Sequence, residues 1–202
     1  MKKGALPAGG RPHEVRLIGG QWRRSKLPVA DRPGLRPTPD RVRETLFNWL
    51  GQDLTGWRVL DAFAGSGALG FEAASRGAAE VLLLENDAPL VASLNASRQR
   101  LGAGTLRIER SDATAWMARC APARFELVLV DPPFDAVLAA PAAALGAPLL
   151  VPGGYLYVEA SAPLNERPPG LSLHRQSRAG AVHFQLFRRD YTPAVESTRT
   201  VP

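Results

Sequence analysis

Four residues, Asp131-Pro132-Pro133-Phe134, follow the apolar run FELVLV. Two consecutive prolines fix the backbone and remove two N–H donors, so the nearby carbonyls become rigid acceptors. A carboxylate, a rigid acceptor and an aromatic ring in this order suit a flat base with an exocyclic amino group. The Asp131 carboxylate and the Pro132 carbonyl accept its two N–H bonds, and Phe134 stacks on the ring. Taken alone, the tetrapeptide reads equally well as a turn after a strand with Phe134 in the core.

A second constellation lies upstream. DAFAGSGALG, Asp61 to Gly70, satisfies G-x-G-x-x-G at Gly65, Gly67 and Gly70. It follows a strand-like run and opens a helix, the context in which such glycines admit a ligand to the backbone. Glu85 comes twenty residues after Gly65, placed for the two hydroxyls of a ribose. To this point a nicotinamide dinucleotide fits as well as any other nucleotide cofactor. Asp61 begins to separate the cases. A dinucleotide brings an anionic pyrophosphate to the helix N-terminus, and a carboxylate four residues before Gly65 opposes it. S-adenosylmethionine carries an ammonium and a sulfonium instead, which suit an acid at this turn. Asp112, beside Ala113, is then expected to accept from the adenine amino group.

These residues need a scaffold. From Trp57 on, short apolar runs alternate with helical patterns: WRVLDA and a helix near 68–77, VLLLE and a helix near 88–101, TLRIER and a short helix near 113–120, FELVLVD and a helix near 136–147, then GYLYVEA. That is a β-α alternation, which predicts a mostly parallel sheet with helices on both faces. Asp61, Glu85, Asp112 and Asp131 fall at or just beyond the strand ends, where open parallel sheets bind their ligands. LSLHRQS and AVHFQLFRR alternate in polarity and read as an antiparallel pair closing the sheet edge. Before this core, VRLIGGQWRRSKLPV reads as a hairpin turning tightly at Gly19-Gly20. DRVRETLFNWL reads as a helix capped by Asp40 or Thr38, with Val42, Leu46, Phe47 and Leu50 on one face. The expected organisation is a tail over 1–14, one domain over 15–190 (hairpin and helix 15–51, core 52–190) and a tail over 191–202.

Composition bounds the function. The chain has 202 residues and a net charge of +6. Residues 1–50 hold eleven Lys/Arg against four Asp/Glu, so all the excess positive charge lies in the first quarter. Such asymmetry points to a polyanion-binding face. Arg16, Arg23, Arg24, Lys26, Arg36, Arg41 and Arg43 are the expected phosphate contacts, although Arg41 and Arg43 could equally pair with Asp40 and Glu44. One cysteine, Cys120, permits no internal disulfide, and the three histidines are scattered, so no metal site is expected. No apolar run is long enough for a membrane span, no leader is evident, and a cytoplasmic monomer is expected.

DAFAGSGALG, LLEND, SDA and DPPF together resemble the class I S-adenosylmethionine-dependent methyltransferases that act on amino groups. RLIGGQWRRSKL, LRPTPDRVRETLFNWL and VLDAFAGSGALGFEAASRGA narrow the resemblance to the bacterial small-subunit rRNA guanine-N2 methyltransferases of the RsmD family, from about Arg16 to Arg188. The resemblance implies a Rossmann-like, seven-stranded, mostly parallel sheet with an antiparallel edge strand. It implies methyl transfer to N2 of one guanine of 16S rRNA, in the small ribosomal subunit or its assembly intermediate. It adds Phe63, Ser66 and Asn86 to the cofactor residues Asp61, Gly65, Gly67, Glu85, Asp112 and Ala113. Thr38 stands in the specific RPTPDR segment, expected to cover cofactor or base, and DPPF (Asp131, Pro132, Pro133, Phe134) carries catalysis. Three rivals remain on the sequence: a DNA amino-methyltransferase, an NAD(P)-dependent oxidoreductase, and a non-catalytic RNA-binding factor.

Overall fold

A computed structural model describes residues 13–30, 38–133 and 136–191. An N-terminal pair, β1 (His13–Arg16) and β2 (Lys26–Val29), precedes helix α1 (Asp40–Trp49). The core then runs β3 (Arg58–Asp61), α2 (Ala68–Ser75), β4 (Glu80–Glu85), α3 (Ala88–Leu101), β5 (Leu106–Arg110), α4 (Ala113–Met117), β6 (Phe125–Val130), α5 (Ala136–Gly146), β7 (Leu150–Ala160), β8 (Leu171–Ala179) and β9 (Val182–Arg189). The seven core strands form one sheet in the order β5-β4-β3-β6-β7-β9-β8. β3 to β7 are parallel to one another, while β9 pairs antiparallel with both β7 and β8. The chain leaves β3 towards β4 and returns to its other side with β6, so the strand order reverses at β3. That reversal opens a crevice at the carboxyl ends.

β4 and β6 read as continuous apolar runs because both their faces are covered. Val59, Val81, Leu83, Leu127, Leu129 and Tyr157 pack under the hairpin, α1 and α2. Leu60, Leu82, Leu84, Val128, Val130 and Val158 pack against α4 and α5. Side chains alternate along a strand. Asp61 therefore continues the row of Val59, Glu85 that of Leu83, Asp131 that of Leu129, and Glu159 that of Tyr157. All four acids finish the same face of the sheet, the one roofed by the N-terminal segment.

That roof is fastened by buried ion pairs centred on Glu72. Arg43 and Glu72 are both fully buried, with Arg43 Nη1 3.3 Å from Glu72 Oε2. Glu72 also accepts from the backbone N–H groups of Ile18 and Gly19, each at 2.8 Å, and from Arg76 Nε at 2.9 Å. Arg43 donates to the carbonyls of Thr38 (3.3 Å) and Arg16 (2.8 Å), and to Asp40 Oδ1 (2.6 Å). One carboxylate and one guanidinium thus join the hairpin, α1, α2 and the Thr38 segment.

Three expectations are corrected here. Gly19-Gly20 do not form a two-residue turn; the chain between β1 and β2 is longer, with Leu17 N donating to Ser25 O at 2.8 Å. The glycines instead let the backbone lie against α2. A Cβ on Gly20 would stand 1.8 Å from the Ser75 carbonyl oxygen. Neither Thr38 nor Asp40 caps α1: Pro39 holds the N-cap position without a side-chain bond, Thr38 bonds Asp131 and Asp40 bonds Arg43. The first strand begins at His13, two residues before the expected domain start at 15.

Candidate active site

A cleft of about 850 Å³ opens at the carboxyl ends of β3, β4 and β6. It brings Asp61, Phe63, Gly65, Ser66, Glu85 and Asn86 together with Asp112, Ala113, Asp131, Pro132, Pro133 and Thr38. Gly67 turns the chain rather than lining the wall. It caps α2 in the left-handed region at φ 79°, and a Cβ there would meet Leu94 at 2.6 Å and Phe71 at 2.7 Å.

Asp61 forms the floor and is 1% exposed. Its Oδ2 accepts from Gly70 N–H at 2.9 Å, while the buried Oδ1 has no partner among the described residues. Burial raises this carboxyl from 3.8 to about 7; the Gly70 hydrogen bond pulls it down, and Asp131 and Glu85 push it up. An orphaned buried acceptor in a ligand-sized cleft fits an ammonium group. Gly70 must be glycine for this arrangement, because a Cβ would lie 2.9 Å from Asp61 Oδ2.

Glu85 ties the glycine loop to the end of β4. Oε2 accepts from Gly65 N–H and Oε1 from Asp87 N–H, both at 2.9 Å. A carboxylate offers about four acceptor positions, so two hydroxyls can still be taken. Asp112 is the N-cap of α4: Oδ1 accepts from Ala115 N–H at 2.8 Å and Thr114 Oγ1 at 2.6 Å. These bonds hold its carboxyl below the usual range. The glycine loop, the Asp61 orphan and the Glu85 rim fit S-adenosylmethionine, whose ammonium suits a buried acid such as Asp61 and whose ribose hydroxyls suit the free acceptor positions of Glu85.

Asp131 stands where β6 ends. Thr38 Oγ1 donates to its Oδ2 at 2.9 Å, so Thr38 reaches Asp131 directly. Burial raises this carboxyl to about 6, against the lowering effect of Thr38. Two features of the cleft escaped the sequence reading. Glu159, at the end of β7, lines the cleft and is 6% exposed. Its Oε1 accepts from the Tyr157 hydroxyl at 2.8 Å. It could have been found as a fifth acid at a strand end. The turn between β8 and β9, Ala179 to Val182, forms a far wall; its small apolar residues gave no chemical signal.

The basic residues divide. Arg16, Arg23, Arg24, Lys26 and Arg41 are exposed, with Lys26 bonded to Glu14 at 2.7 Å. Arg43 is not available to a phosphate, because the Glu72 pair buries it completely. Phe134 and Arg36 lie outside the described residues. No group of three or more His, Cys, Asp or Glu able to hold a metal occurs among the described residues.

A reversing parallel sheet, an antiparallel β9 beside β7 and an acidic cleft above β3 define a class I methyltransferase whose cofactor is S-adenosylmethionine. The profile of the family described as Conserved hypothetical protein 95 matches residues 15–188, and the chain belongs to that family, the RsmD family. It is 44% identical over 185 residues to ribosomal RNA small subunit methyltransferase D of Escherichia coli K12, covering 88% of this chain and 91% of that protein. The Haemophilus influenzae protein of the same name is 40% identical over 182 residues, covering 87% and 94%. Among solved structures, the Escherichia coli yhhF protein superposes with TM-score 0.80 at 43% identity, over 88% of this chain and 99% of that one. Magnesium protoporphyrin IX methyltransferase from Synechocystis shares the fold at TM-score 0.59 and 17% identity, over 74% and 79%.

Proposed function

We propose that this protein transfers a methyl group from S-adenosylmethionine to the exocyclic N2 amine of one guanine in 16S rRNA. The substrate is the small ribosomal subunit or its assembly intermediate, and the enzyme acts as a cytoplasmic monomer. The observation that carries this reading is the position of Asp131. It shares one cleft with Asp61 and Glu85, its Oδ2 is held by Thr38, and two prolines follow it. The near relatives named for small-subunit rRNA support the RNA assignment.

S-adenosylmethionine supplies a methyl group already activated by its sulfonium. The chain's task is placement, since the guanine N2 lone pair is delocalised into the ring. Asp131, with Thr38 fixing Oδ2, leaves Oδ1 to accept one N–H, and the Pro132 carbonyl accepts the other. These bonds orient the amine lone pair, and orientation of this kind contributes about 7–11 kcal/mol in favourable cases. Asp131 then takes the proton released from nitrogen. Phe134 stacks on a base drawn out of the folded RNA, and such stacking contributes about 1–3 kcal/mol per base. Asp112 Oδ2 accepts from the adenine amino group while Oδ1 serves α4. Arg16, Arg23, Arg24, Lys26 and Arg41, together with Arg36, hold phosphates.

The test is label transfer from S-adenosylmethionine to small subunits from cells lacking the enzyme, to naked 16S rRNA and to duplex DNA. Label on guanine N2 of the subunit is expected. Label on DNA alone, or on adenine, refutes the reading.

A further inference from the structure

The even charge balance beyond residue 50 conceals a local excess. Residues 51–202 hold fourteen Lys/Arg and fifteen Asp/Glu. Four of those arginines (Arg175, Arg178, Arg188 and Arg189) fall within residues 171–189, a stretch that contains no acid. That stretch is the β8–β9 hairpin, and β8 is the outermost strand of the sheet. β8 is antiparallel to β9, and β9 to β7. β8 therefore runs with the parallel strands, and its carboxyl end, Ala179, reaches the same rim as the acids.

Order along the rim gives this excess a place in the reaction. Asp112, Glu85 and Asp61 follow or close β5, β4 and β3, so the cofactor half of the cleft lies on that side. Asp131 follows β6, and β7, β9 and β8 come next. With the cofactor in its half, a base reaches Asp131 from the hairpin side, past the turn Ala179 to Val182 that walls the cleft. The arginines divide by their height on the hairpin. Arg189 donates to the carbonyls of Pro148 and Leu150, and Arg188 stands over the Tyr155 ring; both lie at the end away from the rim. Arg178 adjoins the turn, and Arg175 lies three residues back, about 10 Å along the strand. Their side chains lean to opposite faces, but on this outer strand both are exposed. Neither makes an ion pair among the described residues. Arg178 Nε donates to the Gly180 carbonyl at 2.6 Å. That bond fastens the guanidinium to the cleft wall and leaves its terminal donors for another acceptor. The turn itself is small, with open space where a Gly180 side chain would stand.

Resting on the RNA-methylation reading of this cleft, we propose that Arg175 and Arg178 form a second phosphate-binding arm. It holds the RNA backbone beside the base drawn to Asp131, across the cleft from the cofactor. The N-terminal arginines hold the RNA from the roof, and the hairpin holds it from the open sheet edge. Guanidinium groups suit this task because their fork of donors matches a phosphate.

Salt-dependent binding of 16S rRNA fragments and methyl transfer to small subunits test the arm together. Each phosphate contact contributes about 0.7–0.9 to the slope of log affinity against log salt. Arg175→Ala with Arg178→Ala should flatten that slope by about 1.4–1.8, so a roughly four-fold rise in salt costs about 7- to 12-fold less affinity than in the parent. KM for the subunit should rise while kcat and the affinity for S-adenosylhomocysteine keep the parent's values, the pattern of lost uniform binding. Arg175→Lys with Arg178→Lys should keep the parent slope, because the slope counts charges. Arg107→Ala, at an exposed arginine on the opposite edge strand β5, should change neither slope nor KM. If the parent methylates RNA and the double alanine variant keeps its slope and KM, the arm alone is wrong. A fall in kcat at unchanged KM also overturns it. A parent that neither binds nor methylates RNA overturns the proposed function, and the arm with it.

Discussion

Asp61→Asn should stabilise the protein without ligand and weaken the cofactor-bound form. Asp61 is a buried acid whose carboxyl is raised from 3.8 to about 7. The folded state therefore binds a proton more tightly than the unfolded chain between these values. Stability from this group is fully present below pH about 4 and is lost as pH rises towards 7. The loss amounts to about 1.4 kcal/mol per pH decade and on the order of 4 kcal/mol above pH 7. Asparagine carries no charge at any pH and keeps an oxygen for the Gly70 N–H. Its amide must leave a donor where Oδ1 was orphaned, at about 1–3 kcal/mol. The net gain at pH 8 is about 1–3 kcal/mol, and a gain of this size raises the melting temperature of a chain this long by roughly 2–4 °C per kcal/mol. At pH 5 the gain disappears or reverses. Thermal unfolding at pH 5 and pH 8, with and without S-adenosylhomocysteine, reads both halves. The variant should melt higher at pH 8 alone and gain less from the ligand, whose ammonium has lost its counter-charge. Equal destabilisation at both pH values, with unchanged ligand protection, would refute the assignment of Asp61 as an uncompensated charge awaiting a cation.

Other consequences follow from named contacts. Arg43→Ala removes one of the two guanidinium partners of buried Glu72, Arg76 remaining at 2.8 Å, and opens a cavity under α1; urea denaturation should show a loss of about 3 kcal/mol, and RNA affinity measured on the folded fraction should not change. Gly67→Ala forces a positive φ on alanine and drives its Cβ into Leu94 and Phe71, a loss of about 1–3 kcal/mol by the same measurement. Single-turnover methyl transfer should fall as pH drops below about 6, because Asp131 loses its charge there; a rate that is flat to pH 5 would remove Asp131 as the acceptor. Binding of 16S rRNA fragments should weaken steeply with salt, and Arg23→Ala with Arg24→Ala should reduce the log–log slope by about 2.

Much of this site was legible because it lies at strand ends. Alternating short apolar runs and helical patterns gave the parallel sheet, and the acids closing those runs then fell on one rim. The glycine loop and DPPF supplied the order along it. What escaped notice depended on side chains that reverse their ordinary surroundings. Arg43 reads as a phosphate ligand by charge, yet it stands three and four residues before Leu46 and Phe47. It therefore belongs to the buried face of α1, and its partner Glu72 sits in the apolar run of α2. Each charge has a partner on its own helix, Asp40 for Arg43 and Arg76 for Glu72, but the pairing between the two helices is one no local pattern displays. Gly19-Gly20 look like a turn, but their shape is dictated by Ser75, more than fifty residues away. Thr38 and Asp40 have the composition of helix caps and were drawn off by Asp131 and Arg43. Glu159 ends its strand as the other acids do and went unread because no glycine loop or proline pair followed it.

The central claim is that Asp131 receives and orients the reacting amine. Single-turnover methyl transfer to small subunits by Asp131→Asn, with S-adenosylmethionine affinity measured alongside, tests it most directly. The expected result is unchanged cofactor affinity and a rate reduced about 10²- to 10⁴-fold, the usual effect of removing a positioned proton acceptor. A rate within about three-fold of the parent, far short of such an effect, would contradict the claim and place the reacting amine elsewhere in the cleft.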